Sequence, residues 1–140
     1  MSQQQQPKVH DASDFPIVRF ERSSIYEGYG ALWCAEMDEF LARGKPFVLI
    51  YDVHAGGPDE AHDDRVMRAA WLKSHKEMLD GILLAVIHVE PEPTKRAQLE
   101  KKLPMLAKAF GTPQAVRASR DEAEALGRHV LAGGRMNDSV

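Results

Sequence analysis

Two apolar runs, FVLIYDV at 47–53 and ILLAVIHV at 82–89, constrain the possible folds more than any other feature of the chain. A strand with one wet face alternates apolar and polar residues, whereas a strand covered on both faces reads as a nearly unbroken apolar run. Both segments are strand-length and far too short to cross a bilayer, so they predict the covered middle of a sheet and no membrane insertion. Between them Met67, Trp71, His75 and Met78 recur at helical spacing, while Arg65, Arg68, Lys73, Lys76 and Glu77 fall elsewhere on the same helix. Strand, helix, strand is the crossover that parallel neighbours require.

The rest of the chain extends that pattern. Residues 17–22 alternate, with Val18 and Phe20 on one face and Arg19 and Glu21 on the other, which predicts a half-buried edge strand. Tyr29, Trp33, Met37 and Phe40, with Leu41 beside them, predict an amphipathic helix to Arg43, ended by Gly44. Leu99, Leu103, Leu106, Ala107 and Phe110 predict another, with a kink or a break into two short helices at Pro104. Residues 114–118 read as a short edge strand, and Ser119 with Glu122 has capping-box spacing ahead of a final helix that Gly133 and Gly134 stop. The fold class is therefore α/β: a single domain over 14–134 in β-α-β-α-β-α-β-α order, whose four-stranded, mainly parallel or mixed sheet carries helices packed on it. Residues 1–13 read as a disordered polar tail and 135–140 as a C-terminal tail.

Composition narrows the partners. With 18 Lys and Arg against 21 Asp and Glu, the net charge is −3, and the signs are interleaved. No dominant basic field exists to attract phosphates, so nucleic acid is not an expected partner. Cys34 is the only cysteine, which excludes an intramolecular disulfide and a four-cysteine metal site. That count and a polar, glutamine-rich start predict a cytoplasmic protein. Cys34 sits among Trp33, Ala35 and Met37, an apolar setting that raises a thiol pKa and favours a structural role.

Several local features resemble the SpoIIAA-like domains, relatives of the STAS anti-sigma-factor antagonists, over 15–132. They are Asp52 ending the run VLIYD, a helix carrying Trp71 and Leu72, the valine-rich LLAVIHV, and a last strand leading into SRDEAEALGRHVL. The resemblance implies a small regulatory or binding domain, some relatives of which hold apolar or lipid-like ligands. The family's switch phosphorylates a serine or threonine after the first of those strands. Here that loop reads Asp52-Val53-His54-Ala55-Gly56-Gly57-Pro58, with no Ser or Thr between Ser24 and Ser74, so the switch does not transfer.

Open α/β sheets bind ligands beyond the carboxyl ends of their strands. The loops after Val53 and Val89 hold or adjoin Asp52, His54, His62, Asp63, Asp64, His88 and Glu90. Asp52, His54, His62 and His88 would suit a metal or acid-base chemistry if they converged. Their spacing matches no compact metal motif, and the structural alternative has Asp52 capping loop amides, His62 to Asp64 opening a helix, and His88 packed at a strand end. Gly56-Gly57-Pro58 lacks both the Walker and the dinucleotide pattern and reads as a turn. His75, on the stripe of Trp71 and Met78, reads as a core or interface histidine.

No residue reads as catalytic and no cofactor is implied. The leading expectation is a non-catalytic regulatory or scaffold module engaging a protein partner or a second copy of itself. One alternative is a carrier of a small apolar or lipid-like ligand, with Tyr26, Tyr29, Trp33, His54 and Trp71 as candidate ligand-binding residues. The other is a small metal-dependent or acid-base enzyme on the histidine-bearing loops.

Overall fold

The computed structural model describes residues 9–52 and 60–138. Its elements are β1 (His10–Asp14), β2 (Ile17–Glu21), α1 (Gly30–Ala42), β3 (Phe47–Asp52), α2 (His62–Ser74), α3 (Lys76–Leu79), β4 (Leu83–Val89), α4 (Pro93–Phe110), β5 (Gln114–Arg117) and α5 (Arg120–Leu131). The strands form one sheet in sequential order, antiparallel between β1 and β2 and parallel from β2 to β5. The two apolar runs lie side by side at its centre, with Leu49 opposite Val86 and Tyr51 opposite His88.

Alternation along those strands divides the interior into two cores. Phe20, Phe47, Leu49 and Val86 face α1 and α2, meeting Tyr29, Trp33, Met37, Phe40 and Trp71. Ile17, Val48, Ile50, Ala85 and Ile87 face the other way, onto Ala123, Leu126 and Val130 of α5. Crossovers of one hand in a sequentially ordered sheet put their helices on one face, so α1, α2 and α4 share a face while α5 covers the opposite one. Gly127 brings α5 close enough that an added Cβ would lie 3.1 Å from the Val48 side chain.

A bulge in β4 adjusts this alternation. Phe47 pairs with Leu83 and Val48 with Ala85, so two residues of β4 span one step of β3. Leu83 and Val86 therefore both face the α1–α2 core despite their odd spacing.

The sheet has five strands, where the sequence predicts four. Residues 10–13, expected in the disordered tail, form most of β1, and Val9 and His10 are buried. Polar HDASD gives no strand signal because β1 is an edge strand held by backbone and carboxylate bonds rather than by an apolar face. The Glu36 carboxylate on α1 accepts from the Val9 and His10 amides, at 3.0 and 2.7 Å, and from His10 Nδ1 at 2.7 Å. Arg19 adds ion pairs to Asp14 and Glu124, each 2.7 Å. With β1 in place, β2 is an inner strand and not the expected edge. Of the expected C-terminal tail, Asp138 accepts from His129 Nε2 at 2.7 Å and from the Arg135 amide at 3.1 Å.

Two helix expectations also change. Pro104 neither breaks nor divides α4, which is continuous over Pro93–Phe110; the proline is on the exposed side of the helix. The stripe of Met67, Trp71, His75 and Met78 does not form one inward face. Trp71 is buried, but Met67 is 43 % and Met78 61 % exposed. α2 ends at Ser74 and the chain restarts as α3 after His75, whose φ of −107° is not helical. The inward face of α2 instead carries Asp64, Arg68, Trp71 and Leu72, two of them charged and therefore easily read as surface.

Asp64 serves the neighbouring helix. No side chain at Tyr29 caps α1, and Asp64 accepts from the Gly28 amide at 2.8 Å and the Gly30 amide at 2.9 Å. Gly30 permits this approach, since a Cβ there would lie 2.9 Å from the carboxylate oxygen. Asp64→Ala should lower stability by about 2 kcal/mol, the cost of a lost cap with a buried amide left unsatisfied. Chemical denaturation reads this directly, and a wild-type midpoint would contradict the assignment.

Candidate functional site

Beside the tightly filled α1–α2 core, the same face of the sheet leaves a half-closed cavity of about 260 Å³. Leu49 and Tyr51 of β3, Leu83, Val86 and His88 of β4 and Gln114 of β5 form its floor. Arg65, Arg68, Ala69 and Leu72 of α2 form one side of the roof, and Leu106 and Phe110 of α4 the other. Trp33 of α1 and Thr112, in the link from α4 to β5, close the walls. The cavity exists because α2 and α4 stand apart. No residue of α4 is fully buried, and of its apolar stripe Leu106 and Phe110 lie over the space. At roughly 30 Å³ per water, the volume holds on the order of nine water-sized groups.

The walls are overwhelmingly apolar, and their polar groups fall into two sets. Arg68 belongs to the first, held by Glu60 in a bidentate pair of 2.6 and 2.8 Å. Its guanidinium stands 5.3 Å from the Trp33 ring centre and 5.7 Å from that of Tyr51. The Tyr29 hydroxyl donates to the same Glu60 carboxylate. Burial alone would raise the Glu60 pKa, but the bonds from Arg68 and Tyr29 outweigh it and hold the carboxyl below its usual range. Burial likewise works against the Arg68 charge, and Glu60 more than restores it. Burial pushes the Tyr51 phenol up, as burial and Glu60 do for Tyr29, so both stay protonated. Charge in this set is therefore balanced within the protein.

The second set runs along β4 and β5. Gln114 Nε2 donates to the Thr112 carbonyl at 3.3 Å, which turns its Oε1 toward His88 Nε2, 2.8 Å away. His88 must then carry its proton on Nε2 and present a bare Nδ1. Burial lowers the His88 pKa against the opposing effect of Gln114, which keeps the ring neutral. Thr112 Oγ1 and Trp33 Nε1 are buried and have no hydrogen-bond partner among the described residues.

The sequence-derived candidates separate on this geometry. Trp33 lines the cavity. Tyr29 is buried and reaches it only through Glu60, and Tyr26 is 49 % exposed. Trp71 packs edge-on to Trp33 in the core and donates to Asp38 at 2.9 Å, outside the lining. His54 lies outside the described residues.

Of the histidine-carboxylate set, the described members Asp52, His62 and His88 are not brought together. Tyr51 and His88 face the cavity, so Asp52, next in β3, faces the α5 side, where Arg120 donates to it at 2.6 Å. His62 is exposed at the start of α2, 3.3 Å from Arg65. Among the described residues, no group of three or more His, Cys, Asp or Glu side chains is placed to hold a metal. Cys34 is half-buried with its thiol pushed up by burial, in keeping with its apolar neighbours. Arg68, which the sequence places away from the stripe of Met67 and Trp71, turns to the interior with its side chain only 12 % exposed.

Leu72, Leu83, Val86, Leu106, Thr112 and Gln114 were not among the candidate site residues drawn from the sequence. The apolar stripe of α4 was the signal available for Leu106 and Phe110. Thr112 gave none.

Comparison with protein-family models, with curated proteins and with solved structures gives no match. Among the described residues, no helix is long and apolar enough to cross a membrane.

Two measurements test the electrostatics. Arg68→Met leaves Glu60 with no cation at bonding distance in a part-buried site and should destabilise the fold by about 3 kcal/mol; a loss under about 1 kcal/mol would show that the pair contributes little. His10 and His88 both have pKa values lowered from 6.5, chiefly by burial. The unfolded chain then binds protons that the fold refuses. Their contribution should be complete above about pH 6.5 and decline as the pH falls below it, before the carboxylates titrate. A melting temperature that stays flat from about pH 8 to about pH 5 would contradict this.

Proposed function

We propose that the chain binds a small, predominantly apolar molecule in the cavity between the β3–β4 floor and the roof of α2 and α4. The observation that carries this reading is the cavity itself: an apolar space of about 260 Å³ beside a core that is otherwise filled, roofed by a helix with no fully buried residue. Protein interiors close-pack, and a void of this size forfeits contacts that the flanking helices could recover by moving inward. A few convergent polar groups on apolar walls are the usual construction of a ligand site.

Kinship with the SpoIIAA-like domains is part of this proposal. Asp52 closes a central parallel strand, Trp71 sits on the following helix, and a short last strand leads into α5, in the order that the resemblance implies. A second reading, engagement of a protein partner or another copy, has its own support. Val66, Met67, Met78 and Met105, all on α2 to α4, are exposed large apolar side chains.

A neutral, environment-sensitive naphthylamine dye tests the ligand reading. Saturable fluorescence enhancement at one dye per chain is expected. Ala69→Leu, which projects extra carbons into the cavity, should weaken binding by about tenfold while costing at most about 1–3 kcal/mol of stability. Absence of enhancement, or equal binding by the variant, would count against the cavity as the site.

A further inference from the structure

Resting on the cavity as the binding site, we infer that its ligand is an amphipathic acid, an apolar chain or ring ending in a carboxylate, and that Arg65 is the residue that holds this carboxylate. Among the described residues that line the space, the arginines Arg65 and Arg68 are present and no aspartate or glutamate is. Arg68 is already neutralised by Glu60 at 2.6 and 2.8 Å, and Tyr29 donates to the same carboxylate. Arg65 stands one helical turn before Arg68 and Ala69, on the same side of α2, and is exposed. Its guanidinium meets His62 Nδ1 at 3.3 Å and makes no ion pair among the described residues. Glu60 feels its charge but is bonded by Arg68 and Tyr29 instead.

Two guanidiniums and one carboxylate thus stand along the α2 wall, which leaves one positive charge unbalanced beside an apolar space. Apolar walls keep water away and focus the field of a charge at their edge. His88, kept neutral and bonded to Gln114, adds nothing to that charge. A ligand meets both features when its chain lies against Leu72, Leu83, Val86, Leu106 and Phe110 and its head group stays beside Arg65. Because Arg65 is exposed, the head group keeps much of its hydration and avoids the penalty of a fully buried ion. The planar guanidinium offers parallel N–H donors that match the two oxygens of a carboxylate. A phosphate monoester, with a charge of about −2, exceeds what one free cation offsets. An ammonium is repelled, and an uncharged head gains nothing from the charge. A cavity of about 260 Å³, room for on the order of nine water-sized groups, suits a chain of about eight carbons.

Displacement of the bound dye by octanol, octanoate and octylammonium, for the wild type and for Arg65→Gln and Arg65→Glu, tests the assignment. In the wild type octanoate should bind about three- to fivefold more tightly than octanol, the gain of a partly exposed ion pair, and octylammonium more weakly than either. That advantage should shrink as salt is added. Arg65→Gln should remove the preference for octanoate over octanol, and Arg65→Glu should place octylammonium ahead of octanoate. Octanol or octylammonium binding the wild type as tightly as octanoate would overturn the acidic head group while leaving the cavity reading intact. A ratio of octanoate to octanol affinity unchanged in Arg65→Gln would overturn the role of Arg65. Failure of the dye and of every octyl probe would remove the cavity reading and this inference with it.

Discussion

Everything in this fold follows from β3 and β4 being apolar on both sides. A sheet whose centre cannot face water on either surface needs helices on both. Connections of one hand between sequentially ordered parallel strands then send three helices to the same side. The result is lopsided. α1, α2 and α4 share a face that α1 and α2 largely fill, and α4 comes to rest at its margin above β5. The cavity is what remains between a helix pair locked by aromatic contacts and a third helix supported by the strand edge.

The polar groups at this margin belong to that arrangement. Arg68 and Glu60 occupy a place where α2 passes over Trp33 and Tyr51, and an arginine can lie flat between rings while its edge pairs with a carboxylate. The pair fixes the position of α2 relative to α1 through Tyr29, as Asp64 does through the Gly28 and Gly30 amides. Two carboxylates thus tie the helices on one flank of the cavity, and on the α4 flank the Lys76 ammonium of α3 donates to the Lys108 carbonyl at 3.0 Å.

The legible part of the sequence was the part governed by repetition. Unbroken apolar runs located β3 and β4, and helical spacing located α1, α4 and α5, because many residues vote for each element. What stayed hidden depended on single side chains acting over long separations. β1 is a strand because Glu36, on the next helix, holds its first amides, and no pattern within HDASD records that. The inward face of α2 was misphased because Arg68 and Asp64 are buried through partners at Glu60 and at the start of α1. Asp52 and His88 looked poised to meet, yet strand alternation puts them on opposite faces once the register of β3 against β4 is known.

The single helix on the opposite face sets the order in which the molecule can be completed. Ile17, Val48, Ile50, Ala85 and Ile87 are shielded by Ala123, Leu126 and Val130 and, among the described residues, by no other helix, and α5 follows in the chain every strand that it covers. A ribosome that has just released β4 presents a central sheet with one greasy surface bare, and that surface stays bare until α5 emerges and docks. The nascent protein therefore passes through a sticky, half-clad state between the emergence of β4 and that of α5, where chaperone capture competes with aggregation.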